Sequence, residues 1–423
     1  MADEPSNKSA GKKKTKSQPK PGGSGQDEAA SSMLRCYNLP DYRLEHPEFA
    51  LRMETKGEQV QYRVEGDLTA PAPPIRESKY LGREQCVELY RWMLLNRRVE
   101  SALETLYKQS KVIGTVYFGL GQEACSCAAA YALAPEDWMA PAFRNQGALM
   151  VRGFTPADIM RQYMAKADSP SVGRDGGLHF GDTVRRNVCA PITMLGEMIS
   201  VMAGFCLGAR LQGRDIATLT YIGDGGQSTG VTYEGLNLAA VQRLGVVVIV
   251  ENNLWGFSTP SDRQFRVKDL AERSIAYGIP GVIVDGTDAC QVYDVTRDAC
   301  ERARRGEGPT LIEAKMMRMK GHAMHDAAQY VPRPLYEYWL KRDPIERFRH
   351  YLVERKQWLT HDEHEKLVAE VGAYVESERA KAETSPMPSP QEDARHQGAY
   401  CEGKCHTVLP KYAEVKFGVK GKA

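Results

Sequence analysis

Two short polar segments stand directly after neighbouring apolar runs, and their residue types suit a phosphate group and a divalent cation. The first, Gly223-Asp224-Gly225-Gly226, follows the apolar run 217–222, and the second, Glu251-Asn252-Asn253, follows the run 246–250. In a doubly wound sheet, ligands bind outside the carboxyl ends of the strands, so we expect both segments at one binding edge. The glycines let the backbone approach a phosphate closely, and the helix that follows offers free N–H groups.

Asp224 and Asn253 supply the hard oxygen ligands that Mg²⁺ prefers, and such a metal keeps further positions for phosphate oxygens and water. Each segment alone is compatible with an ordinary turn or loop. Together, with a helix and an apolar strand between them, they predict a site that clamps a diphosphate through its metal.

Apolar periodicity defines the elements that must position these side chains. Short apolar runs predict buried strands at 217–222, 246–250, 282–284 and 311–314. Helical spacing predicts helices at 83–110, 122–133, 231–244, 294–305 and 344–382. Strands that alternate with helices indicate an α/β fold, with a parallel sheet covered by helices on both faces.

Composition divides the chain into a body and flanking segments. Residues 1–33 are rich in Lys, Ser, Gly and Pro and predict a disordered basic tail, and residues 34–75 predict an N-terminal arm with a strand near 60–64. The body spans 76–383. The polar and then basic segment 384–423 predicts a loose C-terminal tail.

The overall composition argues against several classes of protein. The formal net charge is only +2 on 423 residues. A nucleic-acid-binding protein usually carries a strongly basic face, so this class is disfavoured. No apolar stretch is long enough to cross a bilayer, and no secretory signal stands at the start. The ten cysteines form no framework of spacings, so we expect reduced thiols and a cytoplasmic protein. Cys401, Cys405 and His406 leave a metal-binding fragment open.

The phosphate motif also separates two cofactor classes. A nicotinamide dehydrogenase needs a Gly-x-Gly-x-x-Gly turn, but Gly223-x-Gly225 continues as Gly226-Gln227-Ser228, so the third glycine is missing. Gly-Asp-Gly followed at this distance by Asn-Asn instead resembles the thiamine diphosphate signature. The stretch 223–260, which ends in Asn252-Asn253-Leu-Trp-Gly-Phe-Ser-Thr-Pro260, is similar to the alpha subunits of pyruvate and branched-chain 2-oxo acid dehydrogenases.

The resemblance to that family covers most of residues 80–360. It includes the segments Gly121-Gln122-Glu123-Ala124, Phe143-Arg144-x-x-Gly147, Gly173-Arg174-Asp-Gly-Gly-Leu-His179, Val284-Asp285-Gly286 and Gly321-His322. It implies a thiamine diphosphate-binding fold, with thiamine diphosphate and Mg²⁺ as cofactors.

The resemblance also implies a set of site residues. Asp224 and Asn253 would bind Mg²⁺ through their side chains, and Trp255 would bind it through its backbone carbonyl. His322 would be the catalytic residue, on a loop near the diphosphate, whereas the role of His325 stays open. The cofactor-binding residues would be Phe143, Arg144, Leu195, Gly223, Asp224, Gly225, Gly226, Asn253 and His322.

The chain departs from the family pattern at three places. Phe143 stands where relatives have a tyrosine, which removes a hydroxyl. The segment 196–200 reads Gly-Glu-Met-Ile-Ser instead of a run like Gly-Ala-Gln-Val-Pro, and this obscures the substrate assignment. Ala323 stands where animal relatives carry a regulatory serine, which excludes phosphorylation at that position.

The implied protein is the alpha subunit of the E1 component of a 2-oxo acid dehydrogenase complex. This oxidoreductase decarboxylates a small 2-oxo acid and transfers the acyl unit to a lipoyl group of E2. A beta-type E1 subunit, in an α2β2 heterotetramer, would supply the glutamate that activates the cofactor. A branched-chain substrate is the favoured assignment, because the stretches 277–286 and 343–352 resemble that type, whereas Glu251 resembles the pyruvate type. An acetoin dehydrogenase-type subunit and a non-catalytic binding protein on the same fold remain alternatives.

Overall fold

The computed structural model describes residues 34–36, 49–56 and 59–389, which build an α/β fold around a parallel sheet. The strands are β1 (Leu34–Cys36), β2 (Phe49–Lys56), β3 (Gln59–Gly66), β4 (Trp138–Ala140), β5 (Thr218–Gly223), β6 (Val246–Asn252), β7 (Trp255–Gly256), β8 (Thr259–Pro260), β9 (Gly281–Asp285) and β10 (Thr310–Lys315). The α-helices are α1 (Arg83–Lys108), α2 (Glu123–Tyr131), α3 (Gln146–Val151), α4 (Pro156–Tyr163), α5 (Glu197–Leu211), α6 (Gly230–Val241), α7 (Ala289–Arg304), α8 (Arg333–Leu340), α9 (Pro344–His350) and α10 (His361–Thr384).

The sheet has the strand order β1-β9-β10-β6-β5-β4, and its neighbouring strands are all parallel. The interior strands β5 and β6 lie side by side, with Gly223 paired to Glu251 at their carboxyl ends. The predicted fold class is confirmed. The two polar segments found in the sequence therefore begin on adjacent strands at the same edge.

Alternating side chains of β6 explain why both faces of the sheet are covered. Val247 and Ile249 belong to one hydrophobic core, and Val246, Val248 and Val250 belong to the other. All seven residues of the strand are buried. A strand buried on both faces must be apolar throughout, which is the pattern that the sequence shows at 246–250.

The four predicted strands and the long first helix are confirmed, but shorter or isolated elements were missed. The sequence analysis did not predict β4 or β1, which have three residues each. It also did not predict α5, whose apolar stretch packs against α6 and β5. The strand near 60–64 is confirmed as β3, and it forms an antiparallel hairpin with the unpredicted β2.

The prediction of continuous helix over 344–382 was wrong. Helix α9 passes into one π-helical turn, and the chain then leaves helical geometry near Gln357, whose φ is 52°. A new helix, α10, starts after Thr360, whose hydroxyl accepts a hydrogen bond from Glu363 N while the Glu363 carboxylate accepts from Thr360 N. This capping box is an independent start signal, which the periodicity alone does not separate from α9.

The start of the predicted C-terminal tail is packed rather than loose. The Ser385 hydroxyl donates to Asp168, and the Pro386 carbonyl accepts from Ala167 N. The tail 1–33, the residues from 390 onward, and Cys401, Cys405 and His406 lie outside the described residues. Within the described ranges, no helix is both long and apolar enough to cross a membrane.

A buried ion pair joins α9 to the end of β9, and we expect its loss to destabilise the fold strongly. Arg347 donates to the Asp285 carboxylate at 2.7 Å and also to the Pro73 carbonyl at 2.6 Å, and both charged side chains are buried. Because Arg347→Met removes one partner of a buried, hydrogen-bonded ion pair, we expect the free energy of unfolding to fall by about 3–5 kcal/mol.

Urea unfolding of this variant should be compared with that of Arg349→Met. Arg349 lies on the same helix and pairs at the surface with Glu346 and Glu354. Surface pairs contribute about 0–1 kcal/mol, so the control should unfold almost as the wild type does. Equal losses in the two variants would contradict this account of the buried pair.

Candidate functional site

A cavity of about 560 Å³ opens at the carboxyl edge of the sheet, beyond the ends of β5 and β6. The structure brings every site residue predicted from the sequence to the wall of this cavity: Phe143, Arg144, Leu195, Gly223, Asp224, Gly225, Gly226, Asn253, Trp255 and His322. They come from five separate parts of the chain, and the fold alone makes them neighbours. The cavity is therefore the candidate active site.

Asp224 is a buried carboxylate held by neutral donors. Its Oδ1 accepts from Gly225 N at 3.0 Å, and its Oδ2 accepts from the Ser261 hydroxyl at 2.7 Å and from Gln264 Nε2 at 3.3 Å. Burial raises the pKa of this carboxyl, and the hydrogen bond from Ser261 opposes that rise. A buried carboxylate with these partners is well suited to a cation, which would offset its desolvation.

Asn253 and Trp255 add two oxygen atoms of a different kind. The Asn253 amide donates to Gln122 Oε1 at 3.1 Å, and its Oδ1 accepts weakly from Trp255 N at 3.4 Å. The Trp255 carbonyl accepts from Arg318 at 3.2 Å. Carboxylate, amide and carbonyl oxygens are the ligands that Mg²⁺ takes alongside phosphate and water, so these residues fit that ion.

In the part of the chain that the structure describes, no group of three acidic, histidine or cysteine side chains could hold a metal. A metal at this edge would therefore depend on the amide and carbonyl oxygens as well as on Asp224. A structural zinc site needs several thiolate or imidazole ligands, and the described residues offer no such group.

Gly226, in the turn after β5, is packed too closely for a side chain. A Cβ on Gly226 would lie 2.7 Å from Ile222 Cγ1 and 3.3 Å from Leu195 Cβ, and both Gly225 and Gly226 line the cavity. The bare backbone therefore borders the cavity directly. This arrangement leaves room for a phosphate group against the turn, as the motif predicts.

Arg144 provides a buried positive charge in the wall of the cavity. Its guanidinium donates to the Phe118 carbonyl at 3.1 Å and to the His322 carbonyl at 2.7 Å. Burial and the nearby Arg318 lower its pKa to about 10, which still leaves it charged at neutral pH. A desolvated guanidinium with planar donors is suited to a phosphate.

His322 lies in an aromatic setting beside Arg144. Its ring is 4.3 Å from the Phe257 ring and 5.4 Å from the Tyr117 ring, centre to centre. Its Nδ1 lies 3.3 Å from a guanidinium nitrogen of Arg144. Because a guanidinium only donates, Nδ1 acts as the acceptor, and this assigns the proton of the neutral imidazole to Nε2.

We expect His322 to stay neutral in the cofactor-free protein until the pH falls to about 4. Burial, followed by the charges of Arg144 and Arg318, lowers its pKa to that value. In the unfolded chain a histidine takes up its proton near pH 6.5, so stability should fall as the pH drops from about 6.5 to 4. NMR titration of the labelled imidazole checks this, and a midpoint near 6.5 would contradict the assigned environment.

Phe143 and Leu195 border the cavity through apolar surface. The Phe143 ring packs 4.7 Å from the Tyr117 ring, and Arg144 lies 5.1 Å from the Phe143 ring centre. Leu195 is 40% exposed and continues an apolar wall with Ile192 and Met198. The wall leaves one side of the cavity free of charge.

Sequence reasoning missed four polar residues of the cavity and its rim. Arg318 follows β10, so its place after a predicted strand was a usable signal that the sequence analysis did not follow. Glu251, which the sequence analysis placed in the second polar segment but gave no role beyond substrate preference, is buried, accepts a hydrogen bond from Asn145, and has its pKa raised by burial to about 7. Ser261 and Gln264 reach Asp224 from a loop whose pattern carries no signal.

Comparison with known proteins shows which family the chain resembles. The model of a family described as "Dehydrogenase E1 component" matches residues 91–391. The 2-oxoisovalerate dehydrogenase subunit alpha of Bacillus subtilis (strain 168) is 37% identical over 314 residues, which are 73% of this chain and 93% of that protein.

Two further relatives carry pyruvate dehydrogenase names. The pyruvate dehydrogenase E1 component subunit alpha of Bacillus cereus is 34% identical over 308 residues, covering 72% of this chain and 80% of that protein. The chloroplastic pyruvate dehydrogenase E1 component subunit alpha-3 of Oryza sativa subsp. japonica is 31% identical over 333 residues, covering 76% of this chain and 77% of that protein.

Proposed function

The chain belongs to the dehydrogenase E1 component family of thiamine diphosphate-dependent 2-oxo acid dehydrogenases, and from this premise we propose the role of each group in its cavity. Asp224, Asn253 and the Trp255 carbonyl hold Mg²⁺. Arg144 and His322, which adjoin each other in the cavity wall, contact the diphosphate. The observation that carries the proposal is the convergence of all predicted site residues on one cavity at the carboxyl edge of the sheet.

The side chains of the cavity bind and orient the cofactor and exclude water from it. Proton transfer is a minor part of their role. When bound, thiamine diphosphate supplies the electron sink for decarboxylation of a 2-oxo acid. The neutral His322 donates through Nε2, while the Gly225–Gly226 turn admits a phosphate against bare backbone. Leu195 and Met198 shield one side from solvent, which strengthens the electrostatic contacts inside the cavity.

The proposed substrate is a branched-chain 2-oxo acid, with pyruvate as the second candidate. The higher identity to a 2-oxoisovalerate dehydrogenase subunit than to the pyruvate dehydrogenase subunits supports this order. The apolar wall with Ile192 and Ile199 suits an aliphatic chain. The acetoin-type and non-catalytic alternatives are not favoured, because the named relatives above are branched-chain or pyruvate dehydrogenase alpha subunits.

The proposed partners are a beta-type E1 subunit, in an α2β2 heterotetramer, and a lipoyl-bearing E2. Exposed apolar side chains on the paired helices α5 and α6, such as Leu211 at 81% and Val241 at 70%, support a covering subunit. A cytoplasmic location is supported by the seven cysteines between residues 86 and 300, all of which are free and buried.

The test is substrate oxidation by the chain co-purified with its beta-type partner, measured as reduction of an artificial electron acceptor. The assay contains thiamine diphosphate and Mg²⁺ and compares 2-oxoisovalerate, pyruvate and acetoin. We expect activity that depends on both cofactors, with the highest kcat/KM for the branched-chain acid. A pair that turns over none of these substrates would overturn the proposal, and a higher kcat/KM for pyruvate would overturn only the choice of substrate.

A further inference from the structure

A buried carboxyl group on α1 is connected to Arg144 through a single peptide unit. Glu100 is 3% exposed, and its Oε1 accepts from Gly119 N at 2.8 Å. The carbonyl of that same peptide unit, on Phe118, accepts from the Arg144 guanidinium at 3.1 Å. The guanidinium in turn donates to the His322 carbonyl at 2.7 Å. One continuous row of hydrogen bonds therefore runs from Glu100 to the wall of the cavity.

The peptide between Phe118 and Gly119 has little freedom to move. A peptide unit is planar, so the bond that orients its N–H also orients its carbonyl. A Cβ on Gly119 would lie 2.8 Å from the Arg144 carbonyl oxygen and 3.1 Å from Glu100 Oε1, so the backbone is wedged between the two residues. Hydrogen bonds in series also polarise one another, and a stronger bond to Glu100 strengthens the bond to Arg144.

We propose that Glu100 is a positioning residue for the diphosphate, holding the Phe118–Gly119 peptide so that the Arg144 guanidinium keeps its orientation at the cavity. This inference rests on the proposed function, since it assigns Arg144 to the diphosphate. Glu100 itself does not line the cavity and acts only through the peptide.

Because of the surroundings of Glu100, this role should make diphosphate binding depend on pH. Its Oε2 is buried without a hydrogen-bond partner. The titratable and charged groups facing it are Arg97 on α1, Glu123 and Cys127 on α2, Arg144 before α3 and Tyr163 at the end of α4. Arg97 bonds instead to Glu123 and Asp343.

Burial, followed by the charge of Glu123, raises the pKa of Glu100 to about 8. At neutral pH the side chain is therefore largely protonated. Above pH 8 it becomes an anion whose charge acts on the nearby Arg144 without contacting it, and this charge offsets part of the attraction of the guanidinium for a bound diphosphate. Anion binding at the cavity should thus weaken as the pH rises through this range.

The test measures cofactor binding rather than turnover. The chain co-purified with its beta-type partner is titrated with thiamine diphosphate and Mg²⁺ by calorimetry, and in parallel with inorganic pyrophosphate and Mg²⁺. Glu100→Leu leaves Gly119 N without its acceptor, so we expect affinity to fall by up to about tenfold, the upper end of what one neutral hydrogen bond contributes. Glu84→Leu, at an exposed position on the same helix, should bind like the wild type.

The conservative variant Glu100→Gln separates orientation from charge. Its amide oxygen still accepts from Gly119 N, so affinity at pH 7 should stay within about twofold of wild type, well inside the effect of one hydrogen bond. Because the amide does not ionise, the wild type should lose affinity between pH 7 and 9 more steeply than this variant. Parallel pH profiles, or a Glu100→Gln affinity as low as that of Glu100→Leu, would overturn the proposal.

A double-mutant cycle with Arg144→Met shows whether Glu100 acts through that residue. If it does, Glu100→Leu weakens binding much less in the Arg144→Met background than in the wild type. Additive losses in folded variants, checked by circular dichroism, would show a general structural role and overturn the inference. A wild-type assembly that binds neither probe would instead contradict the proposed function.

Discussion

Asp224→Asn should weaken Mg²⁺-dependent binding of thiamine diphosphate by more than about a hundredfold, because loss of even a supporting partner costs a metal site about 10–100-fold. An amide carries no charge to neutralise the metal. Calorimetric titration of the co-purified assembly measures the loss, and decarboxylation should fall in parallel.

The same substitution should leave the metal-free fold intact or more stable. Burial raises the pKa of Asp224, so an ionised carboxylate destabilises the folded chain when no cation is near. The new amide can donate to Gln264, whose Oε1 is buried without a partner and can accept after a flip. Asp262→Asn, at the exposed neighbour of Ser261, is the matched control and should bind normally. Retained binding in Asp224→Asn would contradict its assignment to the metal.

Arg144→Met should weaken diphosphate binding about 10–150-fold, which corresponds to about 1.5–3 kcal/mol for a hydrogen bond to a charged group. Methionine fills the same space without a charge, so the packing against Phe143 is kept. Because burial lowers the pKa of Arg144, loss of this buried charge should not lower the thermal stability of the cofactor-free assembly. Lysine would not substitute, since it lacks the planar fork.

Arg185→Met is the control for Arg144→Met. Arg185 is exposed and lies outside the cavity, so its variant tests only the loss of one positive charge from the protein. We expect Arg144→Met to lose affinity for pyrophosphate as well as for thiamine diphosphate, and Arg185→Met to keep both affinities. If both variants lost affinity equally, the effect would come from net charge, and Arg144 would have no specific contact with the diphosphate.

The parts of the fold that the sequence predicts well are those with one dominant physical cause. A strand buried on both faces must be apolar, so β5, β6, β9 and β10 were visible as runs. The strands β1 and β4 have three residues each, which is too short for any periodicity to develop. The break after α9 depends on Thr360 and Glu363, two residues whose capping bonds override a continuous helical pattern.

The residues of the site also differ in how far the sequence predicts them. Asp224 and Asn253 were predicted because they follow strands that neighbour each other in a parallel sheet. Arg144 and His322 came only from resemblance, since a lone arginine or histidine in a loop has no local pattern. Glu100 had no signal at all, because its contact with Gly119 joins an α1 interior position to a loop that only the tertiary structure brings near.

The most direct test of the central claim is the anomalous difference map of a crystal of the co-purified assembly grown with thiamine diphosphate and Mn²⁺ in place of Mg²⁺. We expect one manganese peak in each alpha chain, coordinated by the Asp224 carboxylate, the Asn253 amide oxygen and the Trp255 carbonyl, with the diphosphate beside Arg144. A cofactor bound with its metal elsewhere, or a cavity that holds neither while the cofactor binds at another place, would contradict the account.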